Sequence, residues 1–135
     1  MLVKRVLADK IHTSMKPGKV IALLGARRVG KTVLLKLLSE KFNEPFLMLN
    51  GEDFTSHDLL ARRSIQNYKN LLGEKRLLII DEAQKIPDIG SKLKLMIDEI
   101  HGLKILITGS SAFDIQGQIG EPLTGRKKTF LLYLL

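Results

Sequence analysis

Short apolar runs alternate along this chain with longer stretches patterned as helices, and that alternation restricts the fold more than any other feature. Residues 20–24, 45–49, 77–80 and 103–107 are each too short for a helix and are bounded by turn residues. They read as buried strands. Between them, residues 31–42, about 56–72 and 91–101 read as helices; in the last, Leu93, Met96, Ile97 and Ile100 fall at i, i+3, i+4 and i+7. Val33, Leu34, Leu35, Leu37 and Leu38 are apolar almost all round, which predicts a helix buried between the sheet and a neighbour. Thr55 or Ser56, followed by Asp58, is the expected N-cap of the middle helix. A further helix is expected over residues 1–18, with Val3, Val6, Leu7, Ile11 and Met15 on one face and Pro17 and Gly18 ending it. TFLLYLL at 129–135 reads as a fifth strand. Strands alternating with helices imply a parallel sheet with right-handed crossovers, covered on both faces: a doubly wound, three-layer α/β/α domain.

At 135 residues the chain accommodates one domain, and 44% apolar with 27% charged residues is an ordinary globular balance. The absence of cysteine excludes disulfides, thiolate metal sites and a Cys nucleophile. His12, His57 and His101 lack ligand-like spacing, and no apolar run approaches the roughly 18 residues a membrane span needs. The N-terminal charges interrupt any signal-peptide core, so a cytoplasmic location is expected, with no membrane partner. A net charge of +8 favours contact with polyanions, yet two Tyr, five Phe and no Trp leave little surface for stacking bases.

In an open parallel sheet, ligands gather at the carboxyl ends of the strands. Those ends carry GARRVGKT, NGED, DEAQ and TGSS. The first matches GxxxxGK[ST] between a strand and a helix, the context that confirms a phosphate-binding loop. Composition alone would supply such a match on the order of once in two hundred chains of this size. The binding segment is Gly25, Ala26, Arg27, Arg28, Val29, Gly30, Lys31, Thr32 and Val33. Gly25 and Gly30 allow the backbone to approach an anion closely, and the following helix adds its partial positive charge. Lys31 reaches the β- and γ-phosphates; the Thr32 hydroxyl is placed for Mg²⁺. Arg27 and Arg28 occupy variable loop positions, where a solvated or structural role is favoured over catalysis.

Residues 77–80 followed by Asp81 have the form of a Walker B strand, in which the carboxylate holds Mg²⁺ through its water shell. Glu82, a second carboxylate beside the first, suits orienting the water that attacks the γ-phosphate. Gln84 can bond that water or a neighbouring loop. No guanine-reading N-K-x-D stands near a late strand, so adenine is favoured and ATP and ADP are the expected ligands. Thr108 or Ser110 would report the γ-phosphate, or simply form a turn. Arg126, in LTGR, is either an arginine finger presented to a neighbouring subunit, which requires a homo-oligomer, or part of a basic loop with Lys127 and Lys128.

Taken together, GARRVGKTVLL, LNGED, LLIIDEAQKIP, ILITGSSAFD and LTGRKKTFLLY resemble the prokaryotic AAA-type ATPases in which the AAA domain precedes a C-terminal domain of unknown function. The resemblance runs from about Val20 onward. It implies a P-loop sheet of ASCE type with five strands in order 5-1-4-3-2, ATP and Mg²⁺ as ligands, and hydrolysis as the activity. It carries over Lys31, Thr32, Asp81 and Glu82, and with them Ser110 and Arg126 as catalytic candidates. It also implies that residues 1–135 are the AAA core alone, since the family's helical lid and C-terminal domain would follow Leu135. Two other readings stand beside ATP hydrolysis: a nucleotide-dependent switch with little turnover of its own, needing a protein partner, and a nucleic-acid-associated ATPase. A P-loop kinase is disfavoured by Glu82.

Overall fold

The computed structural model describes residues 2–25, 31–109, 123 and 125–132. In chain order the elements are α1 (Leu2–Ser14), β1 (Val20–Gly25), α2 (Lys31–Lys41), β2 (Leu47–Asn50), α3 (Phe54–Ala61), α4 (Ile65–Leu72), β3 (Leu77–Asp81), α5 (Ile89–Glu99), β4 (Lys104–Gly109) and β5 (Lys127–Leu132). A single 3₁₀ turn, Ala83–Lys85, stands between β3 and α5.

All five strands are parallel, in the order β2-β3-β4-β1-β5. This is the expected 5-1-4-3-2 sheet read from the other edge. Side chains alternate across a strand, and the alternation divides the core into two layers. Val20, Ala22 and Leu24 of β1 join Leu78, Ile80, Ile105 and Ile107 against α3, α4 and α5. Ile21 and Leu23 join Leu77, Ile79 and Leu106 against α1 and α2. With both faces covered, β1, β3 and β4 had to read as unbroken apolar runs, which is what made them visible in the sequence. Each of these fully buried Leu and Ile side chains contributes about 1.5–3 kcal/mol by leaving water.

Four details differ from expectation. The single helix expected over 56–72 is two helices, because Ser64 adopts an extended conformation and caps α4, its hydroxyl accepting from the Asn67 N–H at 3.3 Å. The Asn67 amide then donates to the carbonyls of Leu59 and Arg62, both at 3.0 Å, satisfying the last turn of α3. Asp53, rather than Thr55 or Ser56, caps α3; its carboxylate accepts from the Thr55 N–H at 2.9 Å. In α1 the inward residues are Ala8 and Ile11, flanked by Leu7 and Met15, while Val6 is exposed. Val33 is likewise exposed, although Leu34, Leu35 and Leu38 are buried between the sheet and α1 as expected.

Candidate functional site

Because β1 and β3 are parallel with β4 between them, the end of β1 and the end of β3 open onto the same edge of the sheet. Lys31 begins α2 at that edge, and Asp81 ends β3 there. Residues 26–30 lie outside the described residues, as do Ser110 and the side chain of Thr32.

What is described is a compact polar network at the ends of β3 and β4 and the start of α2. The Lys31 ammonium meets Glu82 Oε1 at 2.6 Å, with both side chains more than nine-tenths buried. Glu82 faces Lys31 from an unusual backbone: φ 52° and ψ 47°, the left-handed region that a side chain with a Cβ seldom occupies. That conformation ends β3 abruptly and turns the chain into the 3₁₀ turn. Gln84 Nε2 donates to Glu82 Oε2 at 2.8 Å, a contact within the same loop that the sequence reading did not include.

Thr108, fully buried at the end of β4, ties the two carboxylate-bearing residues together. Its hydroxyl accepts the Glu82 N–H at 3.0 Å and donates to Asp81 Oδ1. Thr108 therefore positions Asp81 and the Glu82 backbone. One polar side chain satisfies a buried amide and orients a carboxylate, so removing it would take a hydrogen bond from each.

The neighbouring strand closes the site from the side. Asn50 stands in register with Asp81, and the Gly51 N–H donates to the Asp81 carbonyl at 2.7 Å. A Cβ on Gly51 would lie 2.0 Å from the Glu82 carbonyl oxygen, so no residue but glycine fits against the turn. His57 Nε2 is 2.6 Å from the Gly51 carbonyl, fixing the segment from α3. The sequence showed NGED at a strand end, but nothing in it revealed that this glycine abuts the glutamate's backbone. A cavity of about 360 Å³ opens beside Asp81 between α2 and β2, lined also by Lys36, Ser39 and Asn50.

Arg126 is elsewhere. It precedes β5, and its carbonyl accepts from the N–H of Val20, the first residue of β1. The length of β1 separates it from the phosphate loop, about 20 Å at ~3.3 Å per residue. Its guanidinium Nε bonds Asp98 of α5 at 2.7 Å. Lys31, Asp81, Glu82 and Thr108 are brought together; Arg126 is not brought to them within one chain.

The sequence matches the family model described as an AAA domain over residues 17–135. An uncharacterised protein of Mycobacterium tuberculosis is 30% identical over 127 residues, and a Mycobacterium bovis protein matches equally. Those alignments cover 93% of this chain and 27% of each relative, so the chain spans about a quarter of their length. Among solved structures, DnaI is similar with a TM-score of 0.60 at 18% identity, over 96% of this chain and 80% of that one. A Walker-type ATPase of Pyrococcus abyssi gives 0.61 at 18%, over 96% and 52%. The P-loop NTPase domain of a sigma-54 transport activator from E. coli gives 0.54 at 11%, over 94% and 91%. At such identities these structures speak for the fold, which is that of a P-loop NTPase, while the family match covers most of the sequence. The chain belongs to the AAA-type ATPase family.

Proposed function

We propose that the chain binds ATP with Mg²⁺ and hydrolyses its γ-phosphate. The observation that carries the reading is the buried meeting of Lys31 and Glu82 beside Asp81, at the strand ends next to the phosphate loop. A buried lysine is costly unless an anion faces it. Glu82 is that anion in the structure, and the β- and γ-phosphates are the anion the motif is built to receive.

The donor set suits a hard cation that retains most of its water. Asp81 offers a carboxylate oriented by Thr108, and among the described residues no group of three or more His, Cys, Asp or Glu forms a protein cage. Asp81 and the Thr32 hydroxyl would hold Mg²⁺, which when bound neutralises charge on the β- and γ-phosphates. Lys31, drawn off Glu82 by the nucleotide, binds those phosphates. Glu82, released, accepts a hydrogen bond from water and aligns its oxygen with the γ-phosphorus. The new P–O bond forms as the bond to the bridging oxygen breaks; that oxygen leaves with the electron pair on ADP, and the water's proton passes to Glu82 or to the departing phosphate. Ser110 is proposed to contact the γ-phosphate. A finger role for Arg126 is possible only toward a nucleotide on a neighbouring copy, given its place at the other end of the sheet. The cellular supply of ATP fits the cytoplasmic location expected from the sequence.

One observation favours a second reading, the nucleotide-dependent switch. The Lys31–Glu82 pair ties up the residue that would orient water, so a partner that keeps it closed would leave binding without turnover. Titration calorimetry with ATP, ADP and GTP, with and without Mg²⁺, tests the binding claim. ATP binding that strengthens with Mg²⁺ and is lost in Lys31→Ala is expected; equal affinity of wild type and Lys31→Ala would defeat it.

A further inference from the structure

The end of the sheet away from the phosphate loop is basic in an ordered way. Where β3, β4, β1 and β5 begin, the first ladder bonds run from the Lys104 N–H to the Arg76 carbonyl at 3.0 Å, from the Ile105 N–H to the Lys19 carbonyl at 3.3 Å, and from the Val20 N–H to the Arg126 carbonyl at 2.7 Å. Lys104, Lys19 and Arg126 thus stand at the starts of three adjacent strands, and Arg76 stands at the start of the fourth, one position before Leu77, the residue in register with Lys104. Lys75 and Lys127 flank them in sequence. Neighbouring strands lie ~4.8 Å apart, so the row extends about 14 Å across the sheet.

Like charges on neighbouring strands oppose folding, and the chain offsets only part of that opposition. Lys104 pairs with Glu44 at 2.6 Å and Arg126 with Asp98 at 2.7 Å. Lys19 and Arg76 are exposed and reach neutral oxygens instead: Lys19 the Gly125 carbonyl at 2.9 Å, Arg76 the carbonyls of Gly73 and Lys75 at 3.0 and 2.9 Å. Their charge is held in place and not neutralised. Glu74 and Glu99, exposed near the same end, face solvent at its margins.

We propose that this row is a binding surface for the phosphate backbone of a nucleic acid, on the opposite end of the sheet from the nucleotide. The chemistry selects among polyanions. Membrane surfaces are held by basic residues together with inserted apolar ones, and stable protein interfaces have an apolar core. Among the described residues, the exposed large apolar side chains are Val6, Val33, Met48, Phe54 and Leu59, none of them on this row. Exposed cations at strand starts, with no exposed large apolar side chain among them, suit phosphates spaced along a strand. They read no bases, so binding is independent of sequence.

The surface does not depend on ATP chemistry, and its test does not either. Fluorescence anisotropy of the chain with a labelled DNA duplex and with the corresponding single strand is measured across a salt series, for wild type and for Lys19→Gln with Arg76→Gln. Both substitutions lie on exposed side chains, and unchanged thermal melting shows that the fold is kept. Wild type is expected to bind with micromolar affinity that falls steeply with salt. The double variant is expected to bind about tenfold or more weakly at low salt, with a log–log salt slope about 1.8 shallower for two lost phosphate contacts on duplex. Identical affinity and slope for the two proteins would overturn the proposal. So would an absence of DNA binding at low salt, including the case where polyglutamate or phosphatidylserine vesicles bind in its place.

Discussion

Replacing Glu82 with glutamine tests the proposed exchange of Lys31 between Glu82 and phosphate. The carboxylate and the ammonium are 2.6 Å apart with side chains 9% and 7% exposed. Removing one partner of a buried pair costs about 3–5 kcal/mol. Glutamine keeps an oxygen that can accept from the ammonium, and a hydrogen bond to a charged group returns about 1.5–3 kcal/mol of that. The net loss in the nucleotide-free protein is therefore about 2 kcal/mol, or a fall in melting temperature of about 8 °C for a chain of this size. On the proposed binding mode Lys31 exchanges Glu82 for phosphate when nucleotide binds, and the wild type must give up the pair. The variant has less to give up, so its affinity for ATP rises about thirtyfold. ADP is expected to gain similarly, since the proposed contact of Lys31 includes the β-phosphate. Differential scanning fluorimetry of the nucleotide-free proteins and calorimetry with ATP and ADP measure both effects. Unchanged melting together with unchanged affinity would refute the idea that the glutamate and the nucleotide compete for Lys31.

Other perturbations follow from the same geometry. Gly51→Ala, whose Cβ would meet the Glu82 carbonyl at 2.0 Å, is expected to destabilise the fold by about 1–3 kcal/mol in urea unfolding and to slow hydrolysis by displacing the glutamate. Thr108→Val leaves the Glu82 N–H and one oxygen of Asp81 without their partner, costing about 1–3 kcal/mol by the same assay and weakening the dependence of ATP binding on Mg²⁺. Tyr68 is buried and its hydroxyl has no partner among the described residues, so Tyr68→Phe is expected to stabilise by about 1 kcal/mol at neutral pH. Burial, partly offset by Arg63 and reinforced by Asp88, pushes the Tyr68 phenol up from 10.0 to about 12. Since the unfolded chain releases this proton first, the phenol's contribution to stability falls as pH rises from about 10 to 12, and Tyr68→Phe removes that part of the decline in alkaline unfolding curves. Burial lowers the pKa of Lys92, so its contribution runs the other way: the penalty for holding it charged shrinks as pH rises through its depressed value toward 10.5.

How much of this was legible in the sequence depended on whether a feature is local. The strands at 20–24, 77–80 and 103–107 were visible because two-sided burial removes polar alternation, and Lys31, Asp81 and Glu82 because their motif and strand contexts are contiguous. The strand order rested on a resemblance and was met by the observed ladder. The break between α3 and α4 was missed because Ser64 and Asn67 cap helices through contacts that apolar periodicity does not register. Two contacts across the fold were also hidden: Thr108 on Asp81, 27 residues apart, and Gly51 against Glu82. The basic row was invisible for the same reason, since Lys19, Arg76, Lys104 and Arg126 become neighbours only once the sheet forms.

Single-turnover release of phosphate from Mg·ATP, with protein in excess, tests the proposed activity most directly. Wild type is expected to convert the bound ATP to ADP and phosphate, Glu82→Gln to hold ATP unhydrolysed, and Lys31→Ala to bind none. Equal rates of release from wild type and Glu82→Gln would contradict the role assigned to the glutamate, and no ATP binding by wild type would contradict the site itself.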